Sequence, residues 1–184
     1  MTLQEQGEAI IAKLKLNELL NNYGEAHLVG NLALHTTVKP DIDYIIYCNY
    51  SDWIGIVSGL KADFEQIEHT DFEERELKES GKYLITFKHL ENMTEWSIDI
   101  TLSEKGGDYL TDSYQFFLDF GDKFTPEVVN TILPIKKYFH DKRMLRNSMS
   151  YYIYRAVIDE GATKVADIYD YLTKNNVYLG RFKK

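Results

Sequence analysis

The chain has 184 residues, of which 44% are hydrophobic and 27% charged, with 11 Gly and only 3 Pro. This composition fits one globular domain, or one domain with a small helical annex, and excludes two large domains, a disordered chain and a fibrous repeat. Lys and Arg total 21 against 29 Asp and Glu, a net charge of −8. That balance argues against a wide nucleic-acid surface while allowing a small anion to be held locally. The single cysteine, Cys48, has no partner for an internal disulfide or a thiolate metal cluster. No apolar run approaches the roughly 20 residues that span a bilayer. Met1 to Leu20 mixes Glu and Lys among its apolar residues, unlike a signal peptide. A soluble cytoplasmic protein without membrane association is expected.

In Ile10, Ile11, Leu14, Leu16, Leu19 and Leu20 the apolar residues return every three or four positions, which predicts one amphipathic helix ending near Gly24. Ala26 to Val29 is a short strand, Gly30-Asn31 a tight turn, and Leu32-Ala33-Leu34 a short helix. Pro40 enforces an extended entry into Asp41 to Cys48, whose β-branched and aromatic content predicts a buried strand. Ser51-Asp52 caps a helix running to about Thr70, with Trp53, Ile56, Val57, Leu60, Phe64 and Ile67 inward. From Asp71 to Glu104 the period becomes two, through Tyr83, Ile85 and Phe87 and then Trp96, Ile98, Ile100 and Leu102, as in antiparallel strands. After Gly106-Gly107 the pattern is helical in Tyr109 to Phe120, Pro126 to His140, Met149 to Glu160 and Val165 to Asn175, with breaks at Gly121, Asn147 and Gly161. The fold class is therefore α+β, a mixed sheet flanked by helices with a helical C-terminal part, divided as residues 1–105 and 106–184.

Charge is unevenly spread. Residues 61–80 hold eight acids and three bases, whereas 134–155 hold six bases and one acid; solvated helix faces explain such runs most simply. The carboxylates near strand mouths are more telling. Asp41 and Asp43 are two apart, so both point to one face of the strand. Like charges so close raise one pKa unless a cation lies between them, although a bare Asp-x-Asp after Lys39-Pro40 also suits a solvated turn. Asp99 adds a third carboxylate on the polar side of an alternating strand, Trp96 to Leu102. Three hard oxygen donors suit Mg²⁺ or Mn²⁺ rather than zinc. Upstream, Gly30-Asn31 follows a strand and opens a short helix, where Gly30 permits close approach and Asn31 can cap and donate an amide.

Leu28-Val29-Gly30-Asn31, followed by Lys39-Pro40-Asp41-Ile42-Asp43-Tyr44-Ile45-Ile46, resembles the signature of the polymerase-beta-type nucleotidyltransferase superfamily: a Gly-Ser turn, about ten residues, then Asp-x-Asp in a strand. Trp96 to Leu102 is similar to the later strand that supplies the third carboxylate. The likeness covers residues 25–104 and is closest to small stand-alone bacterial members, among them antibiotic nucleotidyltransferases. It implies an Mg²⁺-dependent enzyme in which a hydroxyl of a small molecule or protein attacks the α-phosphorus of a nucleoside triphosphate and pyrophosphate leaves. By the same resemblance Asp41 and Asp43 hold the metals, Asp99 completes the site and accepts the nucleophile's proton, and Gly30 and Asn31 cradle the β- and γ-phosphates. Lys39, or a base among Lys142, Arg143 and Arg146, is expected to offset the triphosphate charge, although each also suits a solvated surface position.

Asn31 stands where the family carries a serine. On that departure rests a second reading, a nucleotide-binding or regulatory module that keeps the fold without turnover; a third is a toxin-antitoxin component whose partner is another protein. The five histidines lack metal-ligand spacing, Ser148 and Ser150 lack a glycine-framed elbow, and Tyr151, Tyr152 and Tyr154 are spaced for core packing.

Overall fold

The computed structural model describes residues 1–67, 70–77, 82–105, 113–146, 148–178 and 180, which form two compact units, Met1–Gly121 and Asp122–Lys184. Gly106-Gly107, the start of the helix expected from Tyr109, the break at Asn147 and part of the acidic run lie outside the described residues. Among the described residues no helix is long and apolar enough to cross a membrane.

The first unit is built on a five-stranded sheet of β1 (Glu25–Val29), β2 (Asp41–Tyr47), β3 (Thr70–Leu77), β4 (Lys82–Glu91) and β5 (Thr94–Ser103), in spatial order β1-β2-β5-β4-β3. β2 and β5 run parallel and the other neighbours antiparallel, so the sheet is mixed, as expected from the sequence. Alternation decides its two faces. Ile42, Tyr44 and Ile46 of β2 and Trp96, Ile98, Ile100 and Leu102 of β5 are almost wholly buried on one side. They pack with residues of α1 (Leu3–Leu14), α2 (Leu16–Asn21) and α4 (Trp53–Phe64) in one cluster, in which the Phe64 and Phe87 rings stack at 3.6 Å. At roughly 1.5–3 kcal/mol for each large side chain buried, this face is the main source of stability. The opposite face carries the polar residues of β2 and β5, and α5 (Ser113–Phe120) packs against β1 there, with Tyr114 stacked on His27 at 3.7 Å.

The N-terminal helix is not continuous. Lys15 adopts a left-handed conformation (φ 51°), ends α1 with its N–H on the carbonyls of Ala12 and Ile11, and starts α2. The reason is phase: six residues apart, Ile10 and Leu16 would lie about 120° apart around an unbroken helix. The break allows Ile10, Leu16 and Leu20 all to be buried. Similarly, α4 stops at Phe64 rather than near Thr70, which already belongs to β3, and a tight 3₁₀ turn at Tyr50–Asp52 precedes it. Asp52 makes no side-chain capping bond.

The second unit contains α6 (Pro126–Asp141), α7 (Met149–Glu160) and α8 (Val165–Lys174). Thr125 caps α6 with Pro126 in its first turn, and Gly161 closes α7 in the left-handed region that glycine enters freely. Inside it, Lys136 is fully buried and its Nζ donates to the Tyr154 hydroxyl at 2.8 Å. Lys142, Arg143 and Arg146 belong to this unit and not to the one carrying the carboxylates.

Tyr23 fastens the start of β1 to α4, its hydroxyl donating to Asp63 Oδ2 at 2.6 Å. Burial, then the hydrogen bond to Asp63 and that residue's charge, push the Tyr23 pKa up to about 12. The unfolded chain therefore ionises here first, and this contribution to stability, full below an ordinary tyrosine's range, is lost as pH rises toward 12. Tyr23→Phe should be less stable at neutral pH yet show a shallower decline from about pH 10 upward, measured by urea melts across pH 8 to 12; an unaltered slope would remove Tyr23 from the alkaline transition.

Candidate active site

β1 leads directly into α3 (Gly30–Ala33), and the turn depends on Gly30, which has φ +69°. A methyl group there would overlap the Asp43 carboxylate, standing 2.9 Å from its Cγ and 3.0 Å from its Cβ. Glycine is thus required twice, for the backbone angle and for the room it leaves beside Asp43. The loop after α3 is tied to α1: Gln4 donates to the Leu32 carbonyl at 3.0 Å and accepts from Thr37 Oγ1 at 2.8 Å. It delivers Pro40, whose carbonyl receives the Ser97 N–H at 3.0 Å and extends the β2–β5 ladder to the edge of the site.

Parallel register places Asp43 directly opposite Asp99 and Asp41 opposite Ser97. All three carboxylates therefore share the face away from the main core. Asp41 is 3% exposed, with Lys39 Nζ at 2.6 Å and Asn31 Nδ2 at 3.4 Å from its Oδ2. Its other oxygen, Oδ1, is buried without a hydrogen-bond partner. Asp99 Oδ1 receives two hydroxyls, Thr86 Oγ1 at 2.8 Å from β4 and Ser97 Oγ at 2.9 Å from its own strand. Burial pulls the Lys39 ammonium down, but the Asp41 carboxylate against it, with Asp43 and Asp99 behind, prevails and holds it above an ordinary lysine. One cation thus feels all three acids.

Gly30, Asn31, Lys39, Asp41, Asp43 and Asp99 accordingly surround one patch of the sheet. Thr86 and Ser97 join them and were not singled out from the sequence. Ser97 carried a signal, since it lies two residues before Asp99 and must share its face; Thr86 carried none, because pairing of β4 with β5 decides it.

Donor chemistry suits a hard divalent cation: carboxylate oxygens only, one of them buried and unsatisfied. Among the described residues, however, no three His, Cys, Asp or Glu groups stand together as a ready ligand cage. The Lys39 ammonium lies against Asp41, so a metal held there would require that contact to open.

No family model and no curated protein matches the sequence. Solved structures do match in three dimensions. The Cid1 poly(U) polymerase with MgGTP bound superposes with a TM-score of 0.59 at 16% identity, over 84% of this chain and 49% of that one. The non-canonical poly(A) polymerase complex GLD-2–GLD-3 gives 0.57 at 13% identity, over 90% and 61%. Terminal uridylyl transferase 4 from Trypanosoma brucei with CTP gives 0.50 at 13% identity, over 93% and 50%. The chain thus spans about half the length of the Cid1 structure. These neighbours are polymerase-beta-type nucleotidyltransferases, and this chain has their fold.

Replacing Gly30 by Ala should cost about 1–3 kcal/mol through backbone strain, with a further loss from the Asp43 overlap. The same change in an Asp43→Ala background should cost less. Equal costs in both backgrounds, read from denaturant melts, would show that only the backbone angle matters.

Proposed function

We propose that the chain transfers a nucleoside monophosphate from a nucleoside triphosphate to a hydroxyl group of a small molecule or protein. The observation that carries this is the pairing of Asp43 with Asp99 beside a buried, incompletely satisfied Asp41 on the polar face of a nucleotidyltransferase-type sheet. Bound by Asp41, Asp43 and Asp99, Mg²⁺ or Mn²⁺ would neutralise charge on the phosphate and leaving oxygens. The protein's own groups do the rest. Gly30 lets the chain run close beside Asp43, and with Asn31 it borders the triphosphate. Thr86 and Ser97 fix Asp99 by one oxygen, leaving the other to take the proton of the attacking hydroxyl. The new bond joins the acceptor's hydroxyl oxygen to the α-phosphorus, the bond to the bridging oxygen breaks, and pyrophosphate departs with its electron pair.

Charge directs the choice of acceptor. Cid1 has RNA terminal uridylyl transferase activity, but a polynucleotide is poorly served by a chain with a net charge of −8. A second reading, nucleotide binding without turnover, is favoured by one observation: the Asn31 amide, at the family's serine position, points at Asp41.

The test pairs a single-turnover transfer rate with a nucleotide binding isotherm, using labelled triphosphates and a panel of small-molecule, protein and RNA acceptors. A residue acting on the transition state affects turnover more than affinity. Asp99→Asn should lower transfer about 10²- to 10⁴-fold with nucleotide affinity nearly kept. Wild-type binding without transfer to any acceptor would favour the binding module, and equal rates for both proteins would remove Asp99 from the mechanism.

A further inference from the structure

Two donors meet at the Asp41 carboxylate. Lys39 Nζ and the Asn31 amide share Oδ2, and Oδ1 is buried with no partner. The Lys39 ammonium reaches this carboxylate from two residues away, across a turn in which the Asp41 N–H bonds to the Lys39 carbonyl at 2.9 Å. The pair is unequally exposed: the Lys39 side chain is 42% accessible and that of Asp41 only 4%. The lysine can therefore swing away without disturbing the core, whereas the aspartate cannot follow it into solvent. A divalent cation bound to the same carboxylate would stand within contact distance of the ammonium, and like charges so placed exclude one another.

We propose that Lys39 is an internal counter-ion that competes with a divalent cation for Asp41, and that a nucleoside triphosphate relieves the competition by offering the ammonium its own anionic oxygens. This rests on the metal- and nucleotide-dependent reading given above. Metal alone then binds weakly, nucleotide alone gains from Lys39, and the two strengthen each other by more than the carboxylates alone dictate. Linkage makes that gain reciprocal. Lys39 here sets the order of assembly, holding Asp41 in the free protein and the triphosphate once it binds.

The experiment titrates Mn²⁺ into the full chain, following free ion by electron paramagnetic resonance, with and without a non-hydrolysable nucleoside triphosphate. Lys39→Met should bind Mn²⁺ alone roughly three- to tenfold more tightly than wild type, the range expected for losing one partly exposed competing charge. Its affinity for nucleotide without metal should fall by a similar factor. Lys39→Arg keeps the cation and should behave as wild type. So should Lys88→Met, which removes a lysine from the same sheet face at the position paired with Ser97. Lys39→Gln supplies the same readout if the Met variant does not fold. Without metal, Lys39→Met should also melt lower than wild type, and adding Asp41→Asn should recover much of that loss.

Equal or weaker Mn²⁺ binding by Lys39→Met and Lys39→Gln overturns the competition and leaves the metal-dependent reading standing. A wild type that binds no Mn²⁺ with or without nucleotide overturns that reading, and this proposal with it.

Discussion

Parallel pairing of β2 with β5 sets Ile42, Tyr44 and Ile46 beside Ile98, Ile100 and Leu102 on one face, and Asp43 beside Asp99 on the other. Side chains alternate strictly along a strand, so a slip of one residue would push three aliphatic or aromatic side chains of β2 off the core and bring carboxylates into it. The hydrophobic effect on one face therefore enforces the encounter of like charges on the other. The acids need no attraction of their own to meet, because the cost of losing the core exceeds any plausible repulsion between partly solvated carboxylates.

Each acid meets that repulsion differently. Asp41, the most buried, has the Lys39 ammonium and the Asn31 amide. Asp99 has two hydroxyls on one oxygen, supplied by neighbouring positions in the sheet. Asp43 occupies room that exists only because residue 30 lacks a side chain beyond hydrogen. The more accessible partner of the ion pair is Lys39, whose side chain is 42% exposed against 4% for Asp41, and in the competition proposed above it changes partners while the strands stay still.

How much of this was legible in the sequence follows from the range of the interactions concerned. The alternation from Trp96 to Leu102 and the Asp-x-Asp spacing are local, so the strands, their polar face and the three acids could be read directly. Gly30 was legible for the same reason, although its need for room beside Asp43 was not. The break at Lys15 has no local signal because lysine has no preference for left-handed backbone; the angle is imposed by where Ile10 and Leu16 must go. Thr86 was hidden because strand register is a long-range property. The contact of Lys39 with Asp41 is local in sequence, but the sequence alone does not say whether a lysine at a strand mouth faces solvent, a phosphate or its neighbour.

Separation of the two sheet faces also governs what substitutions can reveal. Asp41, Asp43, Asp99 and Lys39 lie opposite the cluster formed by α1, α2 and α4, so changing their charge removes no methylene from the core and leaves no cavity there. Effects on stability and on ligand affinity are then separable for these residues, whereas Gly30 joins the two because its backbone angle and its clearance from Asp43 are set by one atom. Pairs that touch, such as Lys39 with Asp41, must be treated as units, since the single changes leave a charge behind and will not add. The double variant, in which neither charge remains, isolates what the ion pair does for the fold from what the carboxylate does for a ligand.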